Sequence, residues 1–208
     1  MSASLTYGNL QYATWECASP DSALMLAADV QMFRQFYHLP ARAQTGVTSS
    51  KTCDFQAGME TMQSFLFSAL AGVNLTSQTV SALAGLLTSS LEKTVLDNEL
   101  ISRVRWMMKG MNLGEDRWDL TELMEAEPGQ NFFLSDNTLE YMRSYWQPSV
   151  SSWSTIEDWE KAGKKDAEEV AHEKVVKILE EAPETLLNPS QEKDMMDYIK
   201  FIEKENNI

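Results

Sequence analysis

The stretch that decides the fold is ARAQTGVTSSKTCDFQAGMETMQSFLFSAL, residues 41–70. Residues 41–47 predict a short strand, and the polar loop 48–54 ends in Asp54, a residue type that caps helices. Four apolar residues then recur at helical spacing: Met59, Met62, Leu66 and Leu70. A strand, a polar loop and an amphipathic helix in this order predict one unit of a parallel sheet.

The residues before this stretch predict a second unit of the same kind. Leu5–Ala13 is the predicted first strand. Ser19 and Pro20 predict the N-cap and the first position of a helix that runs to His38, before Pro40 stops it. Four residues form its predicted buried stripe: Leu26, Val30, Phe33 and Tyr37.

The residues after this stretch predict a third unit. Val73–Thr79 is the predicted strand, and a long helix follows from about Ser90 to Gly110. Its predicted inner face is Leu96, Leu100, Val104 and Met108. The three strand-helix units together predict an α/β fold with a parallel sheet.

The chain is too short for a complete barrel of such units. Eight units need about 250 residues, whereas this chain has 208. Residues 1–112 are therefore predicted to be a partial (β/α) barrel, and residues 113–208 a helical C-terminal extension that docks on it. An open three-stranded sheet leaves unpaired edges, so we expect strands from a missing N-terminal segment or association into a homo-oligomer.

The extension has its own pattern of short helices and tryptophan-rich turns. Four apolar residues mark one amphipathic helix: Ala171, Val175, Ile178 and Leu179. Asn188 and Pro189 predict the start of a last helix. The tryptophans of this part are irregularly spaced, so we expect them to anchor the extension to the barrel: Trp118, Trp146, Trp153 and Trp159.

Composition and charge restrict the function. The formal charge of -14 opposes binding to nucleic acid and to anionic membrane surfaces. No apolar run is long enough to span a bilayer, and the first residues lack a signal-peptide pattern, so a cytoplasmic location is expected. Cys17 and Cys53 are expected to be reduced thiols.

One polar cluster follows the central strand and opens the next helix. Its members are Lys51, Asp54, Gln56 and Glu60. In a barrel this is the carboxyl-terminal face, where active sites lie. Carboxylates there would attract a cationic amine, and the rings of Tyr7, Tyr12 and Trp15 would meet it by cation–π contact. The structural alternative is that Asp54 caps the helix while its neighbours are solvated.

A second acidic group lies around the start of the long helix. Glu92 is a weaker candidate for substrate binding. For Asp97 and Glu99 a structural role is preferred, since acids near a helix N-terminus complement its dipole and Glu99 forms an i,i+4 pair with Arg103. His172 is expected to be solvated, and two histidines with two cysteines at these spacings predict no metal site.

These residues resemble the trimethylamine methyltransferase family, which includes glycine betaine methyltransferases that lack pyrrolysine. The most specific stretches are 39–48, 50–54 and 56–60, followed by 69–74 and by the set at 91–99. The resemblance covers nearly the whole chain and corresponds to the C-terminal part of longer proteins.

The resemblance implies the C-terminal portion of a (β/α)8 TIM barrel that moves a methyl group from a methylated amine to the cobalt of a corrinoid protein. The cobamide would be carried by that partner and not bound directly. Thr52 lies in the region where pyrrolysine falls in other members, which favours a quaternary amine such as glycine betaine over trimethylamine. Quaternary nitrogen already activates its methyl group, so no general base is required.

The predicted site therefore combines the polar cluster with two additions. Asp54 and Glu60 are the predicted catalytic residues, which would pair electrostatically with the ammonium group. The predicted substrate-binding residues are Lys51, Gln56, Tyr7 and Glu92. Two alternatives stay open: a catalytically inactive fragment that binds amines or docks the corrinoid protein, and an unrelated small α/β enzyme.

Overall fold

A computed structural model describes residues 1–3, 7–78, 80–114 and 120–206, without the side chains of Ala3 and Tyr7. Leu5, Thr79 and Trp118, which the predictions above use, lie outside the described residues. The chain divides into two compact units, Met1–Glu173 and Lys174–Ile208. The predicted division at residue 112 stays a prediction.

The first unit combines short strands with longer helices. Its described strands are β1 Ser2–Ala3, β2 Tyr7–Asn9, β3 Thr14–Glu16, β4 Arg42–Gln44, β5 Leu75–Ser77, β6 Ala82–Leu83 and β7 Thr88–Ser89. The described helices of the whole chain are α1 Pro20–Gln31, α2 Phe55–Leu70, α3 Leu91–Met108, α4 Thr121–Met124, α5 Asp136–Tyr141, α6 Ile156–Lys161, α7 Ala167–Glu181 and α8 Pro189–Asn206.

Three parallel strands form the central sheet in the order β1, β4, β5, which is also their order in the chain. Arg42 lies opposite Ser2 on one side and Leu75 on the other. This confirms a mixed α/β fold. Within the described ranges the sheet stays open and does not close into a barrel.

The first strand differs from its prediction. The segment predicted as one strand at Leu5–Ala13 contains β2, which pairs antiparallel with β3 in a hairpin. The parallel strand of the central sheet is instead Ser2–Ala3, which lies before the predicted range. Ala13, in the turn of the hairpin, has a φ of 52°, which reverses the chain direction.

Helix α1 begins where its sequence predicts and ends earlier than the predicted His38. The Ser19 hydroxyl accepts from the backbone N–H of Ser22 at 3.1 Å, and Pro20 occupies the first turn. The helix continues through a π-helical turn at Met32–Phe36. Leu26 and Val30 are buried as predicted. The prediction that Tyr37 is buried is wrong, because Tyr37 lies after this turn and is exposed.

Helix α2 buries a different face from the one predicted. Met59 and Leu70 are 51% and 66% exposed. The buried face carries small and hydroxylated residues together with one phenylalanine: Ala57, Thr61, Ser64, Phe65 and Ser68. The Ser64 hydroxyl accepts from the backbone N–H of Gly46 at 2.9 Å. Small side chains let the helix approach the end of β4 closely, which bulky methionines would prevent.

Helix α3 buries charged residues that its apolar pattern does not reveal. The Ser90 hydroxyl caps it by accepting from the N–H of Lys93 at 3.0 Å. Val104 is buried as predicted, whereas Met108 is exposed. The other buried residues are Lys93, Asp97 and Glu99. The inner face is therefore partly ionic.

The apolar core lies between the sheet and the helices that follow its strands. Its fully buried members are Leu26, Val30, Ala41, Ala43 and Ala71. Helix α1 contacts α2, and α2 contacts α3. Successive strand-helix units are therefore neighbours in space, as parallel β/α architecture requires.

The second unit contains the last turns of α7 and the whole of α8. Both predicted helices of this part are confirmed by α7 and α8. The rings of Tyr198 and Phe201 stack with centroids 6.5 Å apart. Within the described ranges, none of the helices combines the length and apolar character that a membrane span needs.

Candidate functional site

The loops that follow β4 and β5 meet at the carboxyl end of β4, where the segment before α1 joins them. The backbone N–H groups of Ala84 and Gly85 donate to the carbonyls of Ser50 and Thr48, at 2.7 and 2.8 Å. The Ser49 hydroxyl donates to both carboxylate oxygens of Glu16, each at 3.2 Å. The carboxyl ends of parallel strands are where α/β proteins place their sites.

Glu60 fixes the loop after β4 to helix α2. Its Oε2 accepts from the Thr48 hydroxyl at 2.6 Å and from the backbone N–H of Ser49 at 2.8 Å. Its Oε1 accepts from the amide of Gln56 at 2.8 Å. The half-buried carboxylate is thus held by three donors and is not simply solvated, as the structural alternative expected.

Glu16 is a member of this site that the sequence analysis missed. It is half-buried, and its Oε1 also accepts from the N–H of Ala18 at 2.7 Å. Ser49 joins it to Glu60, because the Ser49 hydroxyl bonds Glu16 and the Ser49 N–H bonds Glu60. Among the described residues, neither carboxylate forms an ion pair with a lysine or arginine.

The electrostatic effect of this carboxylate pair reaches the neighbouring thiol. Burial raises the pKa of Cys17 to about 11, and the charges of Glu16 and Glu60 add to the rise. Burial disfavours a charge of either sign, whereas the part of the rise that comes from Glu16 and Glu60 favours positive charge near them. The pair of carboxylates linked by Ser49 is therefore suited to a cationic ligand.

Asp54 acts as the N-cap of α2. Its Oδ1 accepts from the N–H of Ala57 at 3.0 Å and from the Ser50 hydroxyl at 2.8 Å, while Oδ2 accepts from the Thr52 hydroxyl at 3.0 Å. The Ala57 bond and then the Ser50 bond lower the pKa of Asp54. The capping role that the sequence allowed is therefore present, whereas its catalytic role stays a prediction.

The other predicted residues of this loop are exposed. The Lys51 ammonium donates to the carbonyl of Ser49 at 2.8 Å, so the loop of the carboxylate pair also carries a cation. Thr52 and Gln56 are exposed and held by Asp54 and Glu60 respectively.

The hairpin before Glu16 carries the aromatic candidates. The backbone of Tyr7 forms part of β2, and its side chain lies outside the described residues. Tyr12 and Trp15 are exposed on the same hairpin, which ends at Glu16. Exposed aromatic rings are suited to cation–π contact. Their predicted role in substrate binding stays a prediction.

Glu92 belongs to a different contact. Its Oε1 lies 3.0 Å from Nδ1 of His172, and its Oε2 accepts from the Ser90 hydroxyl at 2.8 Å. The His172 bond is the main cause of a fall in the pKa of Glu92 to about 2. His172 is thus exposed but partnered, which corrects the expectation of a merely solvated imidazole.

A buried ion pair within α3 is hydrogen-bonded to α2. The Lys93 ammonium lies 2.6 and 2.8 Å from the two oxygens of Asp97 and donates to the Thr61 hydroxyl at 3.1 Å. Asp97 also accepts from the N–H of Ser81 at 3.0 Å. Burial raises the pKa of Asp97, and Lys93 opposes the rise. Asp97 thus holds the loop after β5 at Ser81, and Lys93 holds α2 at Thr61.

Glu99 anchors a distant segment of the chain. Its carboxylate accepts from the backbone N–H of Ser149 and from the Ser151 hydroxyl, each at 2.5 Å, and from the backbone N–H of Val150. Burial acts to raise its pKa, but the bonds from Ser151, Val150 and Ser149 outweigh it and lower the pKa to about 2. The pair with Arg103 exists at 3.8 Å, yet it is the weaker contact.

One of the predicted anchoring tryptophans, Trp146, joins this segment to helix α3. Trp146 donates from Nε1 to the Ser102 hydroxyl at 3.0 Å, and the Arg103 guanidinium lies 4.4 Å from its ring centroid. Trp153 packs edge-on against Trp146 at 5.4 Å. Trp159 instead holds its own turn, by donating to the carbonyl of Lys165 at 2.7 Å.

In the described ranges, no cluster of three or more metal-ligating side chains occurs.

Comparison with known families identifies the family of this chain. The family model described as trimethylamine methyltransferase (MTTB) matches residues 9–206. The chain therefore belongs to the trimethylamine methyltransferase family, which confirms the resemblance found in the sequence.

Particular relatives agree with this family. The glycine betaine methyltransferase of Desulfitobacterium hafniense strain Y51 is 30% identical over 182 residues, which are 87% of this chain and 38% of the relative. The trimethylamine methyltransferase MttB of Methanosarcina barkeri strain Fusaro is 31% identical over 202 residues, 97% of this chain and 40% of the relative. The trimethylamine methyltransferase MttB of Methanosarcina thermophila is 33% identical over 177 residues, which are 85% of this chain and 36% of the relative. The chain spans about two fifths of the length of these relatives.

Proposed function

We propose that the protein takes part in transfer of a methyl group from a methylated amine to the cobalt of a corrinoid carried by a partner protein. The substrate is a quaternary amine such as glycine betaine, or trimethylamine. The observation that carries the proposal is the pair of carboxylates Glu16 and Glu60, linked through Ser49 at the carboxyl end of a parallel strand. Family membership supports the same chemistry.

The carboxylate pair serves to bind and orient the cation. Two negative charges without a basic ion-pair partner attract an ammonium group, and the hydrogen bonds of Ser49 and Gln56 keep the carboxylates in place. A betaine also carries a carboxylate, and Lys51 on the same loop offers its charge partner.

The transfer itself needs no acid or base from the chain. The corrinoid cobalt, the methyl acceptor and thus a substrate, attacks the methyl carbon in line with the C–N bond. That bond breaks, and its electron pair stays on nitrogen. A quaternary donor leaves as the neutral tertiary amine, and trimethylamine, which reacts as its protonated cation, leaves as neutral dimethylamine. The task of the chain is therefore positioning and exclusion of water.

We further propose that the sheet is part of a (β/α)8 barrel. Support comes from strands that are parallel and adjacent in chain order, and from successive contacts between α1, α2 and α3. Both outer strands, Ser2–Ala3 and Leu75–Ser77, expose a free edge within the described residues. Parallel strands are normally covered and paired on both sides, so the remaining strands belong to additional polypeptide.

The test is a methyl-transfer assay with a reduced corrinoid protein and a panel of methylated amines. The chain is assayed alone and mixed with the part of the Desulfitobacterium hafniense relative that lies outside the matched region. We expect transfer in the mixture, and we expect Glu16→Gln and Glu60→Gln to raise the KM of the amine about tenfold or more.

Glu180→Gln is the matched control, because Glu180 is exposed in α7 and remote in sequence from the loop of Glu60. If both Glu16→Gln and Glu60→Gln leave the KM and kcat of every amine unchanged, the proposed site is wrong. If no mixture transfers a methyl group although the amine binds, the chain is a binding segment without turnover. The coverage of only about two fifths of its relatives favours that second candidate.

A further inference from the structure

A second cavity lies apart from the carboxylate pair of Glu16 and Glu60, in the groove between α2 and α3. Its volume is about 480 Å³, which is in the range of small-molecule sites. Met62 of α2 and Leu96 and Leu100 of α3 form its apolar walls, and Val150 and Ala167 close it from the later part of the chain. Neither Glu16 nor Glu60 lines it.

A glycine on the wall of this cavity has no conformational reason to be there. Gly58 lies inside α2, and its φ is not positive. A Cβ atom built at this position would meet no atom within 4 Å, so no close approach of another segment requires glycine either. Glycine destabilises a helix interior relative to alanine. The open space beside Gly58 is therefore what its small size preserves.

The charges around the cavity favour a cation. Two bases and four acids line it: Lys93, Arg103, Asp54, Asp97, Glu99 and Glu168. Most of these are engaged, since Lys93 pairs with Asp97 and Glu99 holds the backbone of Ser149 and Val150. The side-chain carboxylate of Glu168 has no hydrogen bond or ion pair with another described residue. An acidic rim over carbon walls suits a small organic cation.

We propose that this cavity is a second binding site, which takes a small alkylammonium ion. Its carbon groups would pack against Met62, Leu96 and Leu100, next to the space that Gly58 leaves open. Its charge would face Glu168 at the rim. Asp54 also lines the cavity, but its oxygens accept from Ala57, Ser50 and Thr52. The site is distinct from the carboxylate pair linked by Ser49, because neither Glu16 nor Glu60 lines it.

The experiment follows amide chemical shifts of the full chain during titration with tetramethylammonium chloride, against sodium chloride at equal ionic strength. We expect saturable shifts at Ala57, Gly58 and Leu96. Gly58→Leu fills the cavity and should weaken binding at least tenfold, whereas Glu60→Gln should leave these shifts unchanged. Glu168→Gln should weaken binding of the cation about threefold or more.

Control measurements keep the result unambiguous. Gly58→Ala places only one methyl group in the open space, and its circular dichroism and Tm show whether position 58 tolerates substitution. tert-Butanol, a neutral molecule of similar shape, should bind more weakly than tetramethylammonium.

Four results would overturn the proposal: no saturable shift beyond that of sodium chloride, equal binding of tert-butanol, unchanged binding by folded Gly58→Leu, or loss of the shifts in Glu60→Gln. The last result places the bound cation at the carboxylate pair. That outcome refutes the second site and supports the site of the proposed function, so the two failures are distinguishable.

Discussion

Replacing Glu99 with glutamine should uncouple residues 149–151 from helix α3. The carboxylate of Glu99 accepts from the backbone N–H groups of Ser149 and Val150 and from the hydroxyl of Ser151. Glu99→Gln removes the charge and places an NH₂ donor against some of these donors. The anchored segment then loses its charge-assisted hydrogen bonds, which are the strong kind.

The expected loss follows from the pKa of Glu99. Its ordinary value of 4.5 falls to about 2, because the bonds from residues 149–151 outweigh the effect of burial. A fall of this size corresponds to about 3 kcal/mol for the ionised form, and solvent at the open side of the segment reduces this to about 2 kcal/mol. A depressed pKa stabilises the fold above the unfolded value near 4.5. That stabilisation is lost as the pH falls from there towards 2.

The assay is urea unfolding of the wild-type chain and Glu99→Gln at pH 7 and at pH 3. Tryptophan fluorescence reports the segment directly, because Trp146 packs against the Arg103 guanidinium one helical turn from Glu99. We expect a difference in the free energy of unfolding of about 2 kcal/mol at pH 7 and about half of that at pH 3. Glu180→Gln, an exposed change in α7, should show neither effect.

Two results would refute this reasoning. A Glu99→Gln chain as stable as the wild type at pH 7 would mean that the hydrogen bonds of residues 149–151 do not stabilise the fold. A loss of equal size at pH 7 and pH 3 would mean that the ionised form of Glu99 is not what these donors stabilise.

Three other changes test the helices of the first unit. Ser90→Ala removes the cap of α3 and should cost about 1 kcal/mol in urea unfolding, while an unchanged midpoint would contradict the capping role. Lys93→Met leaves Asp97 buried without its partner and should lower the free energy of unfolding by about 3–5 kcal/mol. Adding Asp97→Leu should restore most of this loss. A double variant no more stable than Lys93→Met would show that the two residues do not act as an isolated pair. Gly58→Ala should raise the free energy of unfolding by about 1 kcal/mol, since its new methyl group meets no atom within 4 Å, and a lower Tm would show that the space is not open.

The features that the sequence predicted best are local. The caps Ser19 and Asp54 each bond a backbone N–H three residues ahead, so the helix starts follow from neighbouring residues. The alternation of strands and helices also depends on short stretches, and the three strand-helix units were predicted in the correct order. The exception is the first strand, where the hairpin β2–β3 occupies most of the predicted range.

The inner face of α2 could not be predicted from apolar spacing. Thr61, Ser64 and Ser68 are polar and would be expected to face solvent, yet they are buried. Two of them bond the end of β4: the Ser64 hydroxyl accepts from the N–H of Gly46, and the Thr61 hydroxyl donates to the carbonyl of Gly46. Close packing against the end of β4 selects small side chains here, and periodicity of hydrophobicity does not report that distance.

The acidic residues of the site were only partly predicted for a similar reason. Glu60 lies on the helix that the decisive stretch opens, so its place at the end of β4 followed from the strand-helix pattern. Glu16 bonds Ser49, 33 residues later, and Glu99 bonds Ser149, 50 residues later. Contacts across such separations are set by tertiary packing, and a single sequence contains no local signal for them.

The order of the central sheet has a consequence for synthesis of the chain. Each parallel strand pairs with the parallel strand made just before it, from Ser2–Ala3 to Arg42–Gln44 and then to Leu75–Ser77. A nascent chain that leaves the ribosome from its N-terminus can therefore add one strand-helix unit at a time. None of these pairings has to wait for a strand that has not yet been translated, which keeps each exposed edge short-lived during growth.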